Sequence, residues 1–532
     1  MALVLMIASI IFFIAGYVFY GRYVANRFDI DPSRETPAHK LNDGIDYEPA
    51  RKLELMGHHF ASIAGAAPII GPITAAVYGW VPVFGWIVLG GIFIGAVHDF
   101  SSLMASVRHQ GKSIGKIIED EIGSVGKFFF LVFSWTTLVL VVAVFSVIVA
   151  KTFVEVPHAA TASVLFLIIA VVWGAIPKKN IAIATVIGVV LMAGAILVGV
   201  KLPISLSFDS WLTVLFGYIF LAAILPVGLL LRPRDYLNAY LLFGALVLAL
   251  VGIIVARPAI QSPAFSSFNV PNFGPMFPIL FVTVACGAIS GFHSLVASGT
   301  VAKQLSNEKH AKAIGFGSML LESFLAVIAL IAAITFTRPE YLQILKDGGP
   351  VTLFSRGVGG FAASIGIPEG VAVTFLSLAV SAFALTSLDT ATRIGRFMFQ
   401  EFFARPGRPS LLSRSRYIST AVTVCAAGLL AYTGSYAAIW PIFGSANQLL
   451  AALALLTITI WLINRGKRAM FVLIPMLFMM VVTLSALATL MYTNFTRTHN
   501  WILGGMGAVL FGVAVYLAIC AWLHIRKLKG VS

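Results

Sequence analysis

The chain has 532 residues, 59% of them hydrophobic and only 11% charged, against roughly a quarter charged in soluble globular domains. With a mean hydropathy of +0.96, these values exclude an ordinary soluble enzyme, a disordered chain and a collagen-like fibre. They leave an all-α polytopic membrane protein. The 36 Lys+Arg against 21 Asp+Glu give a net charge of +15, which in a soluble domain would suggest nucleic acid but here is better read as membrane topology.

Fifteen stretches supply the about 20 mostly apolar residues that a membrane-crossing helix needs. In chain order they are 2–21, 55–79, 84–107, 127–150, 158–176, 181–200, 211–231, 236–256, 277–302, 312–336, 368–392, 415–433, 436–463, 469–492 and 501–524. The first, MALVLMIASIIFFIAGYVFY, lacks a basic leader and outruns the apolar core of a signal peptide, so it reads as a retained helix. If it runs from outside to inside, 29 of the 36 Lys+Arg fall in the cytoplasmic segments 22–54, 108–127, 177–180, 232–235, 303–312, 393–416, 464–468 and 525–532. Only Lys151, Lys201, Arg257, Arg338, Lys346, Arg356 and Arg497 lie outside. This asymmetry obeys the positive-inside rule, with the amino terminus outside and the carboxy terminus cytoplasmic.

Two loops carry structure of their own. SIGKIIEDEIG has apolar residues at 114, 117, 118 and 122, a helical stripe expected on the cytoplasmic surface. The external segment 338–367 is partly apolar and reads equally as a lid dipping toward the protein or as an inert loop. Cys286, Cys425 and Cys520 have no metal or redox spacing and read as small apolar residues in helices. The chain has no GxxxxGK[ST] motif, catalytic triad or zinc motif, which argues against an ATP-driven pump and against an enzyme.

Spans two and nine are irregular. Span two contains GHHFASIAGAAPIIGP, with Gly65, Pro68, Gly71 and Pro72 at mid-helix; span nine contains CGAISGFHSLVASGT, with Gly287, Gly291 and Gly299 around Ser290 and His293. Pro removes a helical hydrogen bond and Gly weakens the helix, and such backbone survives at membrane depth only where it is buried in protein or lines a cavity. Close helix packing is the competing explanation. Each interrupted span opens a set of five, two to six and nine to thirteen, and the two sets run in opposite directions. That is an inverted repeat of the LeuT type. It divides the chain into 1–54 (extra span and loop), 55–200 (first repeat), 201–275 (inserted helix pair), 276–463 (second repeat with the lid) and 464–532 (terminal helix pair).

Breaks of this kind point to a substrate site. The second half of span two is expected to start near Ile69–Gly71 and that of span nine near Ser290–Phe292, so that two helix amino ends face one place and suit a carboxylate. No Lys or Arg is expected in the core. Ser62, Gly65, Ala66, Gly71, Gly287, Ser290, Gly291 and His293 are the candidate substrate residues. Ionisable residues at membrane depth are costly and mark function by default. By the ~1.5 Å rise per residue, His58 and His59 on span two match His98 and Asp99 on span three in depth. Such a cluster suits a proton carrier or inner gate; a structural contact, or a metal site if three or four ligands converge, are the other readings. Glu322, near the midplane of span ten, is either a proton carrier or a hydrogen-bonded packing residue. On span eleven, Thr386, Asp389, Thr390 and Arg393 share a face, and Asp389–Arg393 reads as an interfacial pair. Asn447 and Gln448 interrupt span thirteen and read as hydrogen-bonding between helices.

GHHFASIAGAAPIIGP, with GAVHDF at 95–100, CGAISGFHSLVASGT, TSLDTATR at 386–393 and FGSANQLLAALAL at 443–455, resembles the carbon starvation protein A (CstA) family over nearly the whole chain. The resemblance implies a bacterial inner-membrane protein with a LeuT-type core that takes up peptides or, for some members, pyruvate. It also places span eleven against span two at a cation site, making Thr386, Ser387 and Asp389 cation-binding candidates. The expected activity is secondary active import by alternating access, coupled to H⁺ or alternatively Na⁺, with no cofactor and no nucleic-acid partner. A channel and a starvation sensor are the other classes. The oligomeric state is not legible.

Overall fold

A membrane-buried backbone must satisfy its own hydrogen bonds, and helices do so within one segment. The computed structural model follows that rule over the residues it describes, all but 44–46, 176–180, 226–229, 272, 404–409, 434–435 and 530–532. The loop 177–180, expected on the cytoplasmic side, and parts of other expected loops and span ends, lie outside the described residues. In chain order the main elements are α1 (Ala2–Ala25), α2 (Lys52–Ile63), α3 (Ala67–Tyr78), α4 (Trp80–Arg108), α5 (Ile114–Ile122), α6 (Ser124–Glu155), α7 (Pro157–Ala175), α8 (Ile181–Lys201), α9 (Phe208–Ile224) and α10 (Leu231–Ala256). An antiparallel pair, β1 (Asn269–Val270) and β2 (Gly274–Pro275), interrupts the helical pattern. Then come α11 (Met276–Thr283), α12 (Gly291–Gly299), α13 (Glu308–Ile334), α14 (Arg338–Asp347), α15 (Gly349–Ala363), α16 (Glu369–Phe403), α17 (Arg416–Thr433), α18 (Tyr436–Asn464), α19 (Met470–Thr496) and α20 (Trp501–Lys529).

Among the described residues, eleven helices are long and apolar enough to cross a bilayer, or twelve with the pair α2–α3, which bends by 45° at its break. The other expected spans take different forms. α9 has 17 residues, the interval 277–302 is split into α11 and α12, and α17 is an 18-residue helix with a polar first turn. The long helices α6 and α16 pack against each other, and α13 runs against α3.

Both loops singled out in the sequence are helical. In α5, Ser113 caps the amino end by accepting from the Lys116 amide, and Ile114, Ile117 and Ile118 are buried. Its exposed face is charged. Lys116 bonds Glu119 and holds that carboxyl below its usual range. The segment 338–367 folds as α14 and α15. Thr337 and Glu340 close a capping box at the start of α14. Leu353, Phe354 and Val358 bury one face of α15. Tyr341 donates its hydroxyl to the Ile73 carbonyl at 2.6 Å, which pins this helix pair to the second half of span two.

Candidate functional site

Both interrupted spans are broken. Span two leaves the helix at Ala64 (φ −76°, ψ 62°) and resumes at Ala67, two residues before the expected Ile69. Pro68 explains the shift, because proline is tolerated in the first turn of a helix, where its missing N–H costs nothing. The amides of Ile69 and Ile70 are then already bonded to Ala66 O. Span nine stops at Thr283 and resumes at Gly291 with Ser290 as the cap residue, as expected.

The orphaned ends of these half-helices are closed by side chains from neighbouring spans. Trp86 Nε1 donates to Val284 O at 3.1 Å, and Gln448 Nε2 to Phe281 O at 2.6 Å. Asn447 Oδ1 accepts from the Phe292 amide at 2.9 Å, and Asn447 Nδ2 donates to Ser290 Oγ at 3.0 Å. Asn447 therefore holds the amino end of α12, the position expected to receive a carboxylate.

Ser62, Gly65, Ala66, Gly71, Gly287, Ser290 and Gly291 are all buried. The glycines are points of close approach. A Cβ on Gly65 would strike Ser387 Oγ, one on Gly291 would strike the Asn447 carbonyl, and one on Gly287 would sit 2.6 Å from Ala326 Cβ. At Gly71 it would lie 2.6 Å from Thr283 O, so the second half of span two meets the break of span nine there, backbone against backbone. Gly71→Ala should therefore lower thermal stability by about 1–3 kcal/mol, the usual cost of overpacking. Gly85→Ala, which meets nothing within 4 Å, should not. Apparent unfolding temperatures of the two purified variants check this, and equal stability would show that the crossing can relax.

Charged groups converge one layer away. His98 Nδ1 lies 2.7 Å from Asp99 Oδ1, and His293 Nδ1 lies 2.8 Å from Asp99 Oδ2, so two imidazole N–H groups donate to one carboxylate. His293 Nε2 lies 3.2 Å from Glu322 Oε2. All four side chains are fully buried. His59 is also buried, with neither ring nitrogen bonded, within Coulombic reach of Asp99 and His293. The two helices that carry the acids each have a π-helical turn before them, Gly91–Gly95 in α4 and Lys312–Gly317 in α13; such turns are frequent at functional sites.

The chemistry of this chain of groups follows from its geometry. With Nδ1–H given to Asp99, a neutral His293 presents the Nε2 lone pair to Glu322. Among the described residues, neither that nitrogen nor either Glu322 oxygen has a hydrogen bond. Two acceptors this close, away from water, need a proton or a cation between them. Cys286 adds a sulfur, and the donor atoms of Cys286, His293 and Glu322 lie within 4.8 Å of one another, the one such group among the described residues. A closed tetrahedral metal site takes four ligands; three are present.

The sequence placed His58 with this group, but its Nδ1 lies 3.9 Å from Asp235 Oδ2 in a second network. There Arg234 pairs with Asp389, the Arg234 Nη1 group donates to the Tyr218 hydroxyl at 2.6 Å, and that hydroxyl donates to Asp389 Oδ2 at 2.7 Å. Arg234 is only 1% exposed, which corrects the expectation of a core without Lys or Arg. Helix α10 starts at Leu231, so residues assigned to a cytoplasmic loop lie inside the helix; Pro233 in its first turn was the available signal. Asp389 pairs with Arg234 rather than Arg393, whose guanidinium donates to Ala222 O and Leu225 O at 2.9 and 2.6 Å. Of the cation candidates, Thr386 is held between Asn238 and Ala382 O, Asp389 is tied to Arg234, and Ser387 touches the break of span two.

The profile of the family Carbon starvation protein CstA matches residues 1–348 and 340–486. A peptide transporter CstA of Campylobacter jejuni is 34% identical over 91% of this chain and 79% of its own length. The pyruvate/proton symporter BtsT of Escherichia coli is 32% identical over 93% of this chain and 82% of its own. A crystal structure of the Eremococcus coleocola manganese transporter has a similar fold, with a TM-score of 0.52 and 12% identity over 91% of this chain and 99% of that one. The protein is a multi-pass membrane transporter, and it belongs to the carbon starvation protein CstA family.

Proposed function

We propose that the protein imports a small carboxylate-bearing nutrient, a short peptide or pyruvate, together with protons across a bacterial inner membrane. It does so by alternating access around the broken spans 55–79 and 277–302, within a LeuT-type inverted repeat and fifteen spans in all. The distribution of Lys and Arg supports an outside amino terminus and a cytoplasmic carboxy terminus. The observation that carries the proton coupling is the buried chain His98–Asp99–His293–Glu322, in which His293 Nε2 faces a carboxylate that no other group satisfies. A proton held between them neutralises the confrontation, and its loss restores it, so protonation is linked to the packing of span nine against spans three and ten. A proton-coupled relative named for pyruvate and others named for peptides support the substrate class. The coupling chain adjoins the break of span nine, where His293 lies two residues inside α12, so substrate and proton would act on one mobile element.

Proteoliposomes test the reading. An inwardly directed pH gradient should drive accumulation of pyruvate or of a short peptide above the external concentration, and a Na⁺ gradient alone should not. Equilibration without accumulation would indicate a channel. Accumulation driven only by Na⁺ would move the coupling to the region around Ser387.

A further inference from the structure

A cavity of about 330 Å³ opens at the basic end of the molecule, cytoplasmic in the proposed orientation. That volume is at the lower end of the range for small-molecule sites. Its wall is assembled from segments distant in sequence: Asp29 and Arg34 after α1, Arg108 at the end of α4, Trp461 near the end of α18, and Arg465 and Lys467 in the following turn. The positive-inside rule needs charge only somewhere in these loops; it does not need four cations around one concavity.

The hydrogen bonds divide these cations into fixed and available ones. Arg108 is anchored by Glu308, with Nη2 to Oε2 at 3.0 Å, and by the carbonyls of Phe28 and Asp29. Arg34 reaches the same Glu308 at 3.4 Å with a half-exposed side chain. Lys467 pairs with Asp29 and holds its carboxyl below the usual range. Arg465 has no carboxylate partner among the described residues; its guanidinium lies 5.1 Å over the Trp461 ring. The Trp461 indole N–H is buried without an acceptor. Asp29 and Glu308 pair directly with three of the four cations, and Asp31 and Glu121 lie within Coulombic reach of Arg34, Arg108 and Arg465. Arg465, with no direct carboxylate pair among the described residues, and the half-exposed Arg34 remain the guanidiniums most open to a ligand, beside an aromatic surface.

We propose that this cavity binds a phosphate-bearing anion. Four cations from three distant segments line one concavity, and Arg forks such as those of Arg34 and Arg465 recognise phosphate oxygens in pairs. Trp461 adds an aromatic surface for an organic group. The site also touches the transport machinery. Arg108 ends the helix that carries Asp99, and Glu308 begins the helix that carries Glu322. A bound anion competes with Glu308 for Arg34 and Arg108 and clamps the inner ends of spans three and thirteen, which slows the transport cycle. The binding claim stands apart from the proposed function; the effect on transport rests on it.

The experiment uses the full chain in nanodiscs made only of zwitterionic lipid, titrated with inorganic phosphate, with adenosine monophosphate and with acetate. Saturable binding of phosphate or the nucleotide is expected, weakened at least about tenfold in Arg465→Gln and in Lys467→Gln, two changes at accessible positions whose unliganded melting should match the parent. If neither soluble anion binds but phosphatidylglycerol in the nanodisc raises the melting temperature of the parent and not of the two variants, the phosphate is a lipid headgroup. No binding in either arm overturns the proposal, as does binding that both variants retain in full, which would place it elsewhere. Acetate binding as tightly as phosphate would overturn the anion class. Failure of transport in proteoliposomes, with anion binding intact, would count against the proposed function and not against this site.

Discussion

In Glu322→Gln, a pH gradient should no longer accumulate substrate. One pH unit corresponds to about 1.4 kcal/mol per proton, so an electroneutral cycle with one proton per substrate accumulates about tenfold. Without a titrating group the ratio should fall to about one, while exchange of labelled for unlabelled substrate continues, because exchange need not release the proton. The substitution suits the geometry. Gln matches Glu in size, and its amide can donate to His293 Nε2, which lies 3.2 Å from Glu322 Oε2. The variant therefore imitates the protonated state and leaves no lone pair facing another. Asp99→Asn acts one step away: it removes the negative charge on which His98 and His293 both converge and should also depress accumulation, with a greater loss of folding because one of the two buried imidazole N–H groups then faces the amide NH2 in place of an acceptor oxygen. Accumulation near tenfold per pH unit in both variants would remove the cluster from the coupling mechanism and return it to structure.

The sequence made one layer of this site legible and hid the next. Pro and Gly runs announce broken helices because their effect is local: Pro68 and Gly65 act on their own backbone. The apolar stripe of α5 and the partly apolar segment 338–367 were visible for the same reason, since amphipathic helices show their period in the chain. Depth along a helix can also be counted, which brought His98 and Asp99 to the level of His59. Which way a side chain points cannot be counted so simply once helices tilt and bend. His58 and His59 are neighbours in sequence yet belong to different networks, because consecutive helical residues point about 100° apart. His293 looked like a substrate contact on account of the glycines around it; its partner Asp99 is 194 residues earlier. Asn447 was read as a bond between helices, and it is one, but that it caps the broken helix at Phe292 depends on how α18 crosses α12. The glycines carried two meanings, cavity and close packing, and sequence alone leaves both open. Gly65, Gly71, Gly287 and Gly291 all face neighbouring protein atoms.

Arg234→Met should cost about 3–5 kcal/mol of stability, because removing one partner of a buried ion pair strands the other. Two carboxylates are stranded here. Asp389 is completely buried and keeps only the Tyr218 hydroxyl, and Asp235 loses the Arg234 Nη2 contact at 3.3 Å and keeps His58 at 3.9 Å. Neutralising the second partner should recover much of the loss. In Arg234→Met with Asp389→Asn the Tyr218 hydroxyl still has an acceptor and the uncompensated charge at 389 is gone, so the double variant should be more stable than the sum of the singles requires. A buried pair is weak evidence of net stabilisation, since desolvation offsets its attraction, and its position suggests what else keeps it. Arg234 joins spans seven, eight and eleven, and through Asp235 and His58 it reaches the first half of broken span two. A contact that is costly to dehydrate, tight when formed and linked through Asp235 and His58 to a broken span suits a latch better than a brace. The double-mutant cycle, read as apparent unfolding temperature in nanodiscs, separates pairing from packing: purely additive losses would mean that Arg234 and Asp389 each stabilise the protein without depending on the other.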